Sequence, residues 1–122
     1  MRRRTTFLAA AAAAALLVSG CGSSSDAPAP AASSAAYAAI IDVRTPAEYA
    51  ASHVTGAQNI DVESPGFAAA ITALPKSGSY LVYCRSGNRS AQAAKTMREA
   101  GLTVADGGGL ADMEKLGYPF GQ

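Results

Sequence analysis

Apolar residues are spread unevenly along the chain, and their spacing changes twice. Residues 7–18 (FLAAAAAAALLV) form one uninterrupted apolar run, too short for a comfortable membrane span. Residues 22–36 (GSSSDAPAPAASSAA) show no periodicity and carry a single charge. Serine, alanine and proline in that mixture bury too little surface to fold, so this stretch is expected to be a flexible tether. From Tyr37 onward short apolar runs alternate with segments of helical composition. AIIDV (39–43) has the continuous apolar character of a buried parallel strand. TPAEYAAS (45–52) predicts a helix with Thr45 as N-cap, Pro46 at the first helical position and Glu48 completing a capping box. AQNIDV (57–62) predicts a second strand. SPGFAAAITAL (64–74) predicts a helix that again opens on Ser-Pro and stops before Pro75. SYLVY (79–83) is dense in strand formers. RSAQAAKTMREAG (89–101) predicts a helix ending at Gly101. LTVAD (102–106) predicts a last strand, GGG (107–109) a turn, and LADMEKLG (110–117) a short terminal helix.

Strands alternating with helices imply right-handed βαβ units, hence an α/β fold with a parallel sheet covered by helices on both faces. The folded part, residues 37–122, is small for that architecture, and its many alanines imply a thin core. Ahead of it, Arg2, Arg3 and Arg4 precede the apolar run and VSGC follows it. Residues 1–20 therefore read as a secretory signal. An apolar residue, two small ones and Cys21 resemble a bacterial lipobox, in which the cysteine is lipidated and becomes the new N-terminus. That resemblance implies a lipid anchor on Cys21, a tether over 21–36 and an extracytoplasmic, membrane-attached domain. A plain signal peptide, or an anchored helix, is the alternative. Without Arg2–Arg4, the ten Lys and Arg fall to seven against nine Asp and Glu. A slightly acidic mature chain does not suit a nucleic-acid binder.

A lipidated Cys21 cannot pair with Cys84, the only other cysteine. An unpaired thiol in an export compartment calls for an explanation. Cys84 directly follows the strongest strand, and a helix begins a few residues later, the place where α/β sheets bind ligands. Between them RSGNR offers Gly87 and Asn88, which tolerate positive φ and let the backbone curl. A curled loop turns its N–H groups inward, and the following helix adds its positive end, so both favour a thiolate and an anion. Arg85 and Arg89 add fixed positive charge for an oxyanion such as a sulfonate. A buried inert thiol is the competing reading, and two arginines and a glycine in five residues do not suit it.

YCRSGNRSAQAA resembles the active-site loop of the rhodanese (thiosulfate sulfurtransferase) family. IDVRTPAEY (41–49), SHVTGAQNI (52–60) and GGLADMEKLGYP (108–119) agree with that family in order. Four residues separate Cys84 from Arg89, which matches the sulfurtransferase loop rather than the longer loop of related phosphatases. The resemblance implies a rhodanese-like sheet and a two-step transfer. Cys84 takes sulfane sulfur from a donor such as thiosulfate and passes it, as a persulfide, to cyanide or to a thiol, including a protein thiol. It implies that Arg85, Ser86, Gly87, Asn88 and Arg89 bind the substrate, and that Asp42, Arg44 and Glu48 support the loop. No metal or organic cofactor is needed for such a displacement, and the domain is expected to act as a monomer. His53 is expected to be hydrogen-bonded scaffold, and Tyr83 and Met97 to lie in the core. The family usually carries a further strand and helix before IDVR, so an N-terminal edge of the sheet is expected to be shortened here. It also carries a tryptophan where this chain has Met113. Two other functions stay open at this level: a binding or sensing module without turnover, and arsenate or phosphate-ester chemistry, which the short loop disfavours.

Overall fold

The computed structural model describes residues 36–122; the expected signal segment, Cys21 and all of the expected tether except Ala36 lie outside the described residues. The elements in chain order are β1 (Ala39–Asp42), α1 (Pro46–Ala51), β2 (His53–Val54), β3 (Gln58–Asn59), α2 (Phe67–Thr72), β4 (Ser79–Tyr83), α3 (Asn88–Glu99), β5 (Thr103–Asp106), α4 (Leu110–Lys115) and β6 (Phe120–Gly121). Four of the strands form a parallel sheet in the order β3-β1-β4-β5, with Ala39 opposite Tyr80 and Tyr80 opposite Val104. The α/β class and the parallel sheet expected from the alternating pattern are what the chain forms.

Burial explains why β1 and β4 read as unbroken apolar runs. Successive side chains point to opposite faces, and both faces are covered. Ile41, Val43, Tyr80, Val82 and Cys84 belong to a core built with Phe67 and Ile71 of α2 and Ala93, Ala94 and Met97 of α3. Ile40, Leu81 and Tyr83 belong to a second core with Val54, Met113 of α4 and Tyr118. Small side chains at 93 and 94 let α3 lie close to the sheet. On the other face, Met113 is fully buried and its sulfur lies over Gly107, where an added Cβ would sit 2.6 Å from Sδ. A flexible thioether fills this irregular space at the position where the family this chain resembles carries a tryptophan.

The capping box on α1 forms as expected. The Thr45 hydroxyl accepts the Glu48 N–H at 3.3 Å and the Glu48 carboxylate accepts the Thr45 N–H at 3.1 Å. The Ser-Pro before α2 acts differently. Ser64 accepts the Gly66 N–H through its hydroxyl and the Phe67 N–H through its carbonyl. It therefore closes a turn instead of capping a helix, and α2 starts two residues later than the pattern implies. The second expected strand pairs only at Gln58 and Asn59, although Ile60 and Val62 still donate to the carbonyls of Asp42 and Val43. The short antiparallel pair of β2 with β6, Val54 opposite Phe120, has no counterpart in the sequence reading, because two-residue strands leave no periodic signal.

Candidate active site

Strand β4 delivers Cys84 to the point where the sheet ends. Its N–H donates to the Gly108 carbonyl at 2.9 Å, and the chain then turns within four residues to enter α3. Gly87 makes that turn with φ of 98°, in the left-handed region that suits glycine. The curl brings the Gly87 N–H to 2.9 Å from the Cys84 sulfur. The amides of Ser86 and Ser90 and the Ser90 hydroxyl act on the same atom. Burial, the strongest single influence, pushes the thiol up; the donors together outweigh it, and the net direction is down. Ser90 is fully buried, and its hydroxyl rests 3.0 Å from the Gly87 carbonyl and 3.3 Å from that of Gly108. A hydroxyl has one hydrogen and can rotate, so the same group can serve these carbonyls or the sulfur.

The loop is backed by the turn between β5 and α4. Ser86 bridges Gly109, and the Leu110 N–H donates to the Arg85 carbonyl at 3.2 Å. A Cβ on Gly109 would stand 2.7 Å from that carbonyl oxygen, so only glycine allows this approach. In the sequence these glycines read as a turn alone. The contact they make with residues 85 and 86 joins parts of the chain too far apart for local pattern to reveal.

Charged side chains divide into two groups. Glu48 reaches the loop: its carboxylate takes the Arg89 guanidinium with both oxygens, at 2.8 Å each. That contact pulls the Glu48 carboxyl down to about 2 and raises Arg89. Glu63 stands 3.6 Å from the same guanidinium, and the Cys84 sulfur lies within its electrostatic range. Asp42 and Arg44 instead pair with one another in the interior, at 2.6 Å. Arg44 also donates to the Ser52 carbonyl, and Tyr83 donates its hydroxyl to Asp42 at 2.8 Å. Arg85 and Asn88 are exposed. Arg85 lines a groove of about 270 Å3 with Arg44, Glu48, Ser52 and Leu110. His53 stacks on Tyr49, with ring centroids 3.8 Å apart, and its Nδ1 lies 2.9 Å from the Tyr49 carbonyl.

A thiol at a strand end, circled by amide donors and followed by a helix, is a nucleophile site shared by several enzyme families. The family comparison decides among them: residues 26–111 match the Rhodanese-like domain. The chain belongs to the rhodanese family. The matched span begins inside the segment that composition marks as a tether. This rhodanese chain is similar to the thiosulfate sulfurtransferase PspE of Escherichia coli, at 39% identity over 74 residues, 60% of this chain and 71% of that protein. It is also similar to the probable adenylyltransferase/sulfurtransferase MoeZ of Mycobacterium tuberculosis, at 36% identity over 67 residues. That match takes in 55% of this chain and only 17% of MoeZ. Among solved structures, a rhodanese with anions from E. coli matches with a TM-score of 0.58 and 34% identity, covering 69% of this chain and 96% of the other. A protein from Helicobacter pylori matches with a TM-score of 0.61 and 31% identity, covering 73% and 81%. The homology supports sulfurtransferase activity in general for this rhodanese domain.

Proposed function

We propose that the protein is a sulfurtransferase that moves sulfane sulfur from a donor such as thiosulfate, through a persulfide on Cys84, to cyanide or a thiol, protein thiols included. One observation carries the reading: the Cys84 sulfur sits in a ring of amide donors closed by a four-residue span to Arg89. In the first step the Cys84 thiolate attacks the outer sulfur of thiosulfate. A new S–S bond forms, the donor S–S bond breaks, and sulfite leaves with its electron pair. In the second step the acceptor attacks the outer sulfur, and Cys84 departs as a thiolate. The donors that lower Cys84 serve both steps, since a stabilised thiolate is at once the resting nucleophile and a competent leaving group. The loop amides around the sulfur and the exposed Arg85 are the donors available to the leaving sulfonate. Similarity to PspE, whose name states thiosulfate, supports thiosulfate as one such donor.

The test is a thiosulfate-to-cyanide assay with Cys84→Ser as the control, together with intact mass after donor treatment. The wild type should gain one sulfur atom and turn over, and the variant should do neither. Equal inactivity, with no added sulfur on Cys84, would sink the reading. The same proposal places the domain outside the cytoplasm as a monomer on a lipid anchor. It rests there on Arg2–Arg4, the apolar run at 7–18 and VSGC ending in Cys21. Cys21→Ser should release the protein from the membrane fraction; continued association would reject the anchor.

A further inference from the structure

In the sequence, Arg85 and Arg89 read as fixed positive charge for an oxyanion such as a sulfonate. The structure spends one of them. Both terminal nitrogens of Arg89 are held by Glu48 at 2.8 Å, and Glu63 lies 3.6 Å from one of them. Arg44, which shares the groove with Arg85, is neutralised by Asp42. Arg85, Arg89, Glu48 and Glu63 therefore sum to no formal charge, and the Cys84 thiolate adds one negative charge beneath them. The pull on an anionic donor then comes from the loop amides and the start of α3, while the repulsion from the thiolate is twice as large for a dianion as for a monoanion.

We infer that Glu63, acting through Arg89 and beside Glu48, is a specificity-determining residue that turns the site toward sulfane donors of low charge and away from dianions such as thiosulfate. This rests on the sulfurtransferase reading and deepens it. Glu63 suits the role because its side chain is 64% exposed and still lies 3.6 Å from the Arg89 guanidinium. Only its backbone N–H serves the local turn, donating to Asp61 at 2.9 Å. Replacing the side chain leaves that turn intact. Persulfides and thiosulfonates are the favoured class. With methanethiosulfonate, the Cys84 thiolate attacks the outer sulfur, methanesulfinate leaves with the electron pair, and charge balances at two negatives on each side.

The experiment compares kcat/KM for thiosulfate and for methanethiosulfonate in the wild type, Glu63→Gln, Glu63→Lys and Glu63→Asp, at low and high salt. Electrostatic work scales with donor charge, so the gain for the dianion should be the square of that for the monoanion. Glu63→Gln should raise thiosulfate use about tenfold and methanethiosulfonate use about threefold at low salt, with both gains shrinking toward unity near 1 M salt. Glu63→Lys should go further in the same direction, and Glu63→Asp should keep the wild-type ratio. Equal gains for the two donors, or gains indifferent to salt, would overturn the inference, because a change of loop shape moves both donors alike. If the wild type takes sulfur from neither donor, the sulfurtransferase reading fails first and this one with it.

Discussion

Glu48 shows how much one side chain can be asked to do. The same Oε2 accepts the Thr45 N–H at 3.1 Å, the Thr45 hydroxyl at 3.0 Å and Arg89 at 2.8 Å. It both starts α1 and fixes an arginine beside the reactive sulfur. Arg89 above all, and then Thr45, hold its carboxyl at about 2, well under the ordinary glutamate value. A depressed folded-state value means the stabilisation is complete above the unfolded value of about 4.3 and drains away as pH falls toward about 2. Glu48→Gln should therefore lower the melting temperature near neutrality, and the gap between variant and wild type should close over that acid window. Thermal melts taken across it check this; parallel curves would contradict it. Half of this residue's work was legible in the sequence. The capping box is a spacing of three and shows itself locally, whereas the partner in α3 lies 41 positions away and no local pattern points to it.

At the scale of elements, the strong signals came through where packing and local chemistry agree. β4 is apolar because both of its faces are covered, and α3 ends at Glu99, just before Gly101, whose φ of 91° suits a glycine after a helix. Where a residue had a nearer use, the expectation slipped, as when Ser64 closed a turn and delayed α2. The turn of residues 107–109 was visible as a turn, but its hold on the loop was not. Gly109 has φ of −93°, which alanine adopts freely, so any effect of Gly109→Ala comes from the clash with Arg85. The variant should cost about 1–3 kcal/mol of stability and slow alkylation of Cys84 by about tenfold or more through displacement of the loop. Gly66→Ala, where the nearest atom to an added Cβ is 3.6 Å away, serves as the control and should leave alkylation unchanged. Unaltered Cys84 reactivity in Gly109→Ala would show that the loop keeps its shape without this support.

Across the whole molecule, the two cores lie on opposite sides of one sheet, and β4 contributes to both. Cys84 faces one side and Tyr83 the other. Burial pushes the Tyr83 phenol well above its ordinary value, so it remains a donor to Asp42 while accepting the Val54 N–H at 2.9 Å. Arg44 lies over the same ring, 5.8 Å from its centre. These bonds tie β1, β4 and β2 together away from the sulfur. Tyr83→Phe strands a buried N–H and removes a donor from a buried carboxylate, which should cost about 2–3 kcal/mol. Denaturant unfolding should show that loss while the alkylation rate of folded Cys84 stays at the wild-type value. A change in that rate would mean the two faces are coupled.

The backing of residues 85 and 86 by the turn at 107–109 also fixes when the thiol becomes special. Cys84 precedes in the chain the glycines that hold its loop, so the loop and its backing are brought together only by folding. Until the turn at 107–109 has docked on residues 85 and 86, Cys84 lacks that support. The heightened sulfur chemistry is thus a property that completed folding switches on.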